Sequence, residues 1–347
     1  MKINKYSAIL AAVAAVGTFS ACKNANVDFP DYEGGVNVYF AHQYPVRTLV
    51  MGDDTYDTSA DNDHRCTIYA TMGGAYKGRD ITLQIAADPT LTDNLTFDGT
   101  TPVKAMPANY YELASSTISY DGNHMGGVDV KFTDAFFADP ASTTNTYVIP
   151  LVITGQKGAD GILAGTPNAE GSTPPRTKAD EWSVLPKDYV LYCVKYKNKY
   201  DAEYATRGLD KVTEGTTTVI NKRHETYVEN DELRSVHTAS LSRAVYPVST
   251  IVTLPDGTRQ TLTCELLLDF DSDDKCTIST DTPGCTATGT GKFVKDGEKN
   301  SWGNKDRNAI YLDYTVDFGT RRLETFDTLV VKSRNVAAEF FNPEYKN

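Results

Sequence analysis

The chain is 347 residues long, with 40% hydrophobic and 23% charged residues, 25 Gly and 15 Pro. That composition excludes a disordered tail, a fibrous repeat and a single small stapled scaffold, and the length leaves room for about two domains. The 34 Lys and Arg stand against 46 Asp and Glu, a formal net charge of −12, which repels a phosphate backbone and excludes nucleic acid as an expected partner.

In chain order, Met1-Lys2-Ile3-Asn4-Lys5 is followed by an apolar stretch from Ala8 to Val16 and then by Gly17-Thr18-Phe19-Ser20-Ala21-Cys22. These are the charged, apolar and small-residue zones of a secretory leader spanning 1–21, too short to remain as a membrane span. A Cys directly after Phe19-Ser20-Ala21 resembles a bacterial lipoprotein signal, with Phe at the third position before it as a departure; the resemblance implies that Cys22 carries the lipid anchor. The alternative is ordinary cleavage after Ala21, leaving a free Cys. No later segment has 18 consecutive apolar residues, so the remainder is expected to be extracytoplasmic and tethered.

Period-two alternation then dominates. Val36–Phe40, Val128–Phe132 and Tyr147–Ile153 place apolar residues on alternate positions, as half-buried strands do, and Pro150 marks an edge or a bulge in the last. The stretch Gly165–Asp180 is rich in Gly, Pro and small polar residues and reads as a linker over 166–180 between domains at 22–165 and 181–347. Beyond it, Tyr246–Leu254 and Thr258–Phe270 flank Pro255-Asp256-Gly257, a strong hairpin signal. Leu262, Cys264, Leu266, Leu268 and Phe270 share one face, and Ile310, Leu312, Tyr314, Val316 and Phe318 share another. No long stretch carries 3.6 periodicity. The predicted fold is all-β, two antiparallel β-sandwich or barrel-like domains in tandem.

Catalytic signposts are missing from the sequence. His42, His64, His124, His224 and His237 never pair at the spacing of a helical zinc site, no Cys-x-x-Cys occurs, and there is no Gly-x-Ser-x-Gly elbow. A glycosidase needs only two suitably spaced carboxylates, so that class is not excluded by motif. Asp269-x-Asp271-x-Asp273 lacks the Gly and the bidentate Glu of an EF-hand loop and reads as a solvated hairpin end. Gly52–Asp63 gathers five carboxylates and reads first as an exposed polar loop, with Ca²⁺ binding as the alternative if the loop folds back. Of the cysteines after Cys22, Cys276 and Cys285 flank a turn where a disulfide is permitted in an oxidising compartment. The alternative is that Cys66, Cys193, Cys264, Cys276 and Cys285 are all small buried apolar residues.

Tyr, at 21, outnumbers Phe at 13, with two Trp, a balance suited to carbohydrate faces and equally to strands. Trp302 lies in the polar segment Lys295–Arg307 with Asn304 and Asp306, the best candidate ligand site; the ring either stacks on a sugar or plugs the underside of a sheet. Trp182 opens the second domain and is expected to pack at the domain junction, as a secondary ligand candidate.

Three stretches, Tyr39–Asp54, Gly126–Pro140 and Asn145–Leu151, resemble a domain of unknown function of Bacteroidetes lipoproteins, the N-terminal β-sandwich of endo-β-N-acetylglucosaminidase-like proteins. Trp182–Tyr192 through Ser301–Tyr314 resembles the β-rich domain that follows it. The resemblance spans nearly the whole mature chain. It implies a noncatalytic, SusE/SusF-like surface lipoprotein that binds an oligosaccharide or other glycan for a polysaccharide-utilisation system, beside a SusC/SusD-type transporter complex. The alternatives are a glycoside hydrolase or a structural envelope or adhesion subunit, although no (β/α)₈ barrel fits after the sandwich. Lys23–Asp28 is less acidic than a surface-export tag, so the outer-membrane lipoprotein faces either the cell surface or the periplasm. Replacing the anchor, Cys22→Ala, is expected to release the protein from the membrane fraction without unfolding it. Detergent-phase partitioning equal to wild type would reject lipidation there.

Overall fold

A computed structural model describes residues 30–346; the leader and Cys22 lie outside the described residues. The chain is all-β and forms two bodies. The first pairs a five-stranded sheet with a larger one built on the strands Pro45–Val50, Thr82–Ala87, Tyr147–Lys157 and Tyr189–Lys197. Val38, Leu49, Ile68, Leu83, Val130 and Ile149 lie between the sheets, nearly fully buried, as a sandwich core requires. Pairing is mainly antiparallel, but Tyr189–Lys197 runs parallel to Pro45–Val50, and two short parallel pairings accompany it.

Tyr147–Ile153 departs from simple alternation. Val148 and Val152 face a second apolar cluster with Leu91, Leu95, Tyr189, Leu191 and Phe341, so the strand is buried on both faces and reads as a near-continuous apolar run. Pro150 sits neither at an edge nor at a bulge. It lies within this central strand, beside the point where Thr82–Ala87 has ended, and its carbonyl accepts from Asp88 N–H. The ladder therefore loses little from the missing N–H.

The second body is a closed barrel. Its ring runs Ala202–Glu214, Glu232–Thr238, Arg243–Thr253, Arg259–Phe270, Lys275–Ser279, Thr286–Ser301, Lys305–Asp317 and Arg321–Ser333, and the last strand pairs back onto the first from Glu203 to Glu214. Thr217–Arg223 extends the ring beside Gly208–Glu214. Each strand neighbours the next in sequence, as in an eight-stranded up-and-down barrel. The predicted hairpin is present, with Leu254 donating to Thr258 O and Gly257 at φ 85°, a conformation that favours glycine. Cys264, Leu266, Leu268 and Phe270 are buried in the barrel with Ile310, Leu312, Tyr314 and Val316, while Leu262 and Phe318 are half-buried.

The expected boundary at 166–180 is corrected by the pairing. Tyr189–Lys197 belongs to the first body, and Thr166–Pro167 pairs with Trp182–Val184 in a small ribbon. The change of body comes at Asn198–Asp201. After the barrel the chain returns, Glu339–Phe340 pairing with Pro45–Val46 and Glu344–Tyr345 with Leu95–Thr96. The barrel thus follows the first body in the chain, and the residues after it return to pair with that body's strands. Composition pointed to 166–180 because Gly and Pro break elements, yet a breaker-rich stretch also serves as a surface loop within one body.

The barrel is not wholly apolar inside. Asp327, whose side chain is 0% exposed, accepts from Arg223, from the Tyr314 hydroxyl at 2.9 Å and from the Tyr246 hydroxyl at 3.2 Å. Arg223 also grips Asp210 at 2.6 and 3.0 Å, and burial, followed by the Asp327 charge, holds the Tyr314 hydroxyl far above its ordinary pKa. Gly208 is required here: a Cβ at that position would lie 2.3 Å from an Asp327 oxygen.

Two outcomes follow from this topology. Protease nicking between 166 and 180 should give fragments that stay associated until denaturant is added, because Tyr189–Lys197 is held in the first body's sheet; fragments that separate on native gel filtration would contradict the pairing. Asp327→Ala should cost about 1–3 kcal/mol, since it leaves the buried Tyr246 and Tyr314 hydroxyls without their acceptor while Arg223 keeps Asp210. An unchanged melting curve would remove the network from the stability of the barrel.

Candidate functional site

The Thr286–Ser301 and Lys305–Asp317 strands form a long hairpin whose tip carries three of the expected site residues. The ladder is interrupted between Val294 and Glu298 and again before Ser301, and Asp296, Asn300, Gly303 and Asn304 all have left-handed φ. Asn, Asp and Gly tolerate that region, so the polar segment forms a compact knob instead of continuing the strands.

Trp302 lies in this knob, half-buried, its short turn contacting the Lys305–Asp317 and Arg321–Ser333 strands. Small outward-facing residues of the wall, Ala205, Ala309 and Val330, are fully buried, with Ala205 and Ala309 each paired to Val330. The Lys332 ammonium stands 5.4 Å from the Trp302 ring centroid, a cation–π distance, and the Trp302 carbonyl accepts from Arg307 Nε at 2.9 Å. Trp302 is therefore neither a fully exposed platform nor a core plug. It belongs to a cap on the outside of the barrel.

Asn304 and Asp306 open into different recesses. Asp306 borders a cleft of about 280 Å³ at the junction of the two bodies, with Asp53 and Asp54 on one wall and Lys295, Arg307 and Lys332 on the other. Its charges are largely paired: Lys295 bonds Asp53, Lys332 bonds Glu203 and Lys299 bonds Asp306. The Lys299 contact, aided by Asn300 N–H, lowers the Asp306 carboxyl below its ordinary range.

Asn304 borders the second recess, about 370 Å³, together with Tyr227, Glu229, Glu298 and Asn300. Tyr227 is 67% exposed. The side-chain amides of Asn300 and Asn304 make no hydrogen bond to other described residues, whereas both carboxylates are engaged. Glu229 accepts from Gly303 N–H at 3.0 Å and Glu298 from the Tyr311 hydroxyl at 2.8 Å. The Gly303 N–H lowers the Glu229 carboxyl pKa.

The loop that carries Tyr227 is anchored. Asp231, its side chain 0% exposed, pairs with Arg207 at 2.7 Å and accepts from Glu225 N–H at 2.7 Å. Sequence reasoning passed over Tyr227; the signal was an aromatic in His224-Glu-Thr-Tyr-Val-Glu-Asn-Asp231, a polar context like that of Trp302.

Trp182 stands apart from both recesses. It starts the small ribbon strand, and its indole N–H donates to Pro175 O at 2.9 Å, so it ties the 166–184 segment to itself. In the acidic loop, Asp61 is buried against Arg47 and Val50 N–H, and burial raises its carboxyl pKa despite both contacts. Among the described residues no group of three or more His, Cys, Asp or Glu side chains converges as a metal site. The Asp271–Lys275 stretch is the turn between two barrel strands, as expected. Cys276 is buried in the barrel core, and the thiol beside Cys285 is Cys264. No described helix is long and apolar enough to cross a membrane.

The comparisons match the two bodies with two separate family models and leave 161–198 unmatched. A family model of an N-terminal domain matches residues 31–160, and the Domain of unknown function (DUF5627) matches 199–335. A crystal structure of a protein of unknown function from Bacteroides ovatus is 42% identical, covers 91% of this chain and 100% of its own, and superposes with a TM-score of 0.85. The chain belongs to this two-domain Bacteroides family. No curated protein matches it. An auxiliary nutrient binding protein from Bacteroides thetaiotaomicron is 14% identical over 85% of this chain and 95% of its own, with a TM-score of 0.35. A putative carbohydrate binding protein from Bacteroides ovatus is 10% identical over 87% and 99%, with a TM-score of 0.27. Superpositions that poor establish neither a shared fold nor a shared role.

Proposed function

We propose that the protein binds glycans at the bacterial envelope without cleaving them, at the recess between Tyr227 and the Asn304 knob. The observation that carries this reading is an exposed tyrosine ring beside two uncommitted amides. A sugar presents C–H faces that stack on a ring and hydroxyls that pair with amide donors and acceptors. The junction cleft suits a neutral glycan less well, because its charged groups already satisfy one another. A hydrolase would need a carboxylic acid held protonated by a raised pKa, and Glu229 shifts the other way. In the same reading Cys22 tethers the protein to the outer membrane, and a SusC/SusD-type transporter receives the bound oligosaccharide.

A glycan array with the purified protein, read for both retention and products, tests the class of activity. Tyr227→Ala should abolish retention with an unchanged melting temperature. Trp302→Ala should lower stability as well, by less than the roughly 3–5 kcal/mol of a fully buried aromatic, because the ring is only half-buried. Retention unaffected by Tyr227→Ala would move the site, and released products would replace binding with hydrolysis.

A further inference from the structure

The barrel wall has a weak seam at its shortest strand. Lys275–Ser279 is a short strand, and beyond it the flanking strands Arg259–Phe270 and Thr286–Ser301 approach each other with Cα atoms within 8 Å. Threonine hydroxyls bridge the seam: Thr280 Oγ1 donates to Glu265 O at 2.7 Å, and Thr282 Oγ1 accepts from Glu265 N–H at 2.9 Å. Two thiols lie in the same bonded cluster. Cys264 Sγ is 3.3 Å from Thr280 Oγ1, Cys285 Sγ is 3.5 Å from Thr282 O, and Thr282 N–H bonds Thr280 Oγ1 at 3.1 Å. Both sulfurs thus bond the same Thr280–Thr282 turn, and Cys285 packs against the core cluster that contains Cys264. Cys264 is fully buried and Cys285 half-buried, so one partner is open to a reagent and the other is sheltered.

We propose that Cys264 and Cys285 form a disulfide that closes this seam covalently, with another disulfide compound as the oxidant. The Cys285 thiolate displaces one thiolate from the oxidant, giving a mixed disulfide at Cys285. The Cys264 sulfur then attacks the Cys285 sulfur and expels the second oxidant thiolate. Two protein thiols are oxidised, one oxidant disulfide is reduced to two thiols, and the two protons released by the protein end on those thiols. Burial pushes the Cys264 thiol up to about 12, so the second step is slow and quickens as pH rises. The link joins strands that are separated in sequence and adds a covalent bond where the backbone ladder is missing.

The experiment incubates the full chain with oxidised glutathione, alkylates the remaining thiols after unfolding, and digests with trypsin and at Asp281, so that Cys276 and Cys285 fall on separate peptides. The expected map shows the Cys264 and Cys285 peptides joined, lighter by two hydrogen atoms than the sum of the free peptides, with Cys66, Cys193 and Cys276 alkylated. Reductant should then lower the melting temperature of the oxidised protein, and Cys285→Ser should abolish that response while leaving Cys264 open to alkylation. Full alkylation of Cys264 and Cys285 after oxidation, or a link from Cys276 to Cys285, overturns the proposal on the wild-type chain alone.

Discussion

The two bodies are held in one arrangement by a buried guanidinium. Arg334, 7% exposed, follows the last barrel strand and donates to three carbonyls: Asp201 O at 2.6 Å, Asn198 O at 2.6 Å and Met51 O at 3.2 Å. Met51 ends a strand region of the first body, and Asn198 and Asp201 form the elbow into the barrel. A charge this deep is costly unless its donors are satisfied, so the three segments must meet for the fold to close. The elbow is bonded independently. The Asn198 amide donates to Ser240 O and Arg243 O, its carbonyl oxygen accepts from Tyr200 and Asp201 N–H, and the Asp201 carboxylate takes Thr238 and Lys197. The orientation of the bodies is therefore set by hydrogen bonds more than by a linker.

That closure has a consequence for where a ligand can bind. Up-and-down barrels of eight strands have room for side chains or for one small ligand, and here Tyr204, Tyr246, Leu266, Leu312 and Leu329 occupy the interior with the Asp327 network. With the lumen filled, the binding proposed above is left to the outer wall and its loops. The hairpin knob and the 224–231 loop meet there through the Glu229–Gly303 bond, and the two left-handed asparagines of the knob, Asn300 and Asn304, present amides that the backbone does not consume.

Much of the barrel was legible in the sequence because half-buried antiparallel strands alternate. Leu266, Leu268 and Phe270, and Ile310, Leu312 and Tyr314, face inward as their spacing requires, and Pro255-Asp256-Gly257 turns where expected. The alternation of Tyr147–Ile153 marks a strand, but its burial on both faces depends on Phe341 and Leu95, which arrive from distant parts of the chain. The elbow was illegible for a related reason. Asn198-Lys-Tyr-Asp201 contains no Gly or Pro, and its polar residues look solvated until Arg334 and Ser240 are placed beside them. Trp302 was found by its polar context, but the same context could not separate ring exposure from packing on the wall. That distinction rests on the contact of its turn with the Lys305–Asp317 and Arg321–Ser333 strands and on Lys332 beside the ring, which only the folded wall supplies.

The rigidity of the recess bears on how binding would work. The 224–231 loop is pinned by Asp231 to Arg207 and Glu225, and the knob is pinned by Arg307 to the Trp302 carbonyl and by Lys299 to Asp306. A loop ordered beforehand loses little entropy when a ligand arrives, so few contacts suffice for measurable affinity. One ring and two amides still make a shallow site, and a flexible oligosaccharide must itself be ordered. Weak single-site affinity is the consequence. Many copies held on one membrane surface would then engage a polymer at several points and raise the effective affinity without further contacts, so the sparse chemistry of the recess and a lipid tether are complementary parts of the same proposal.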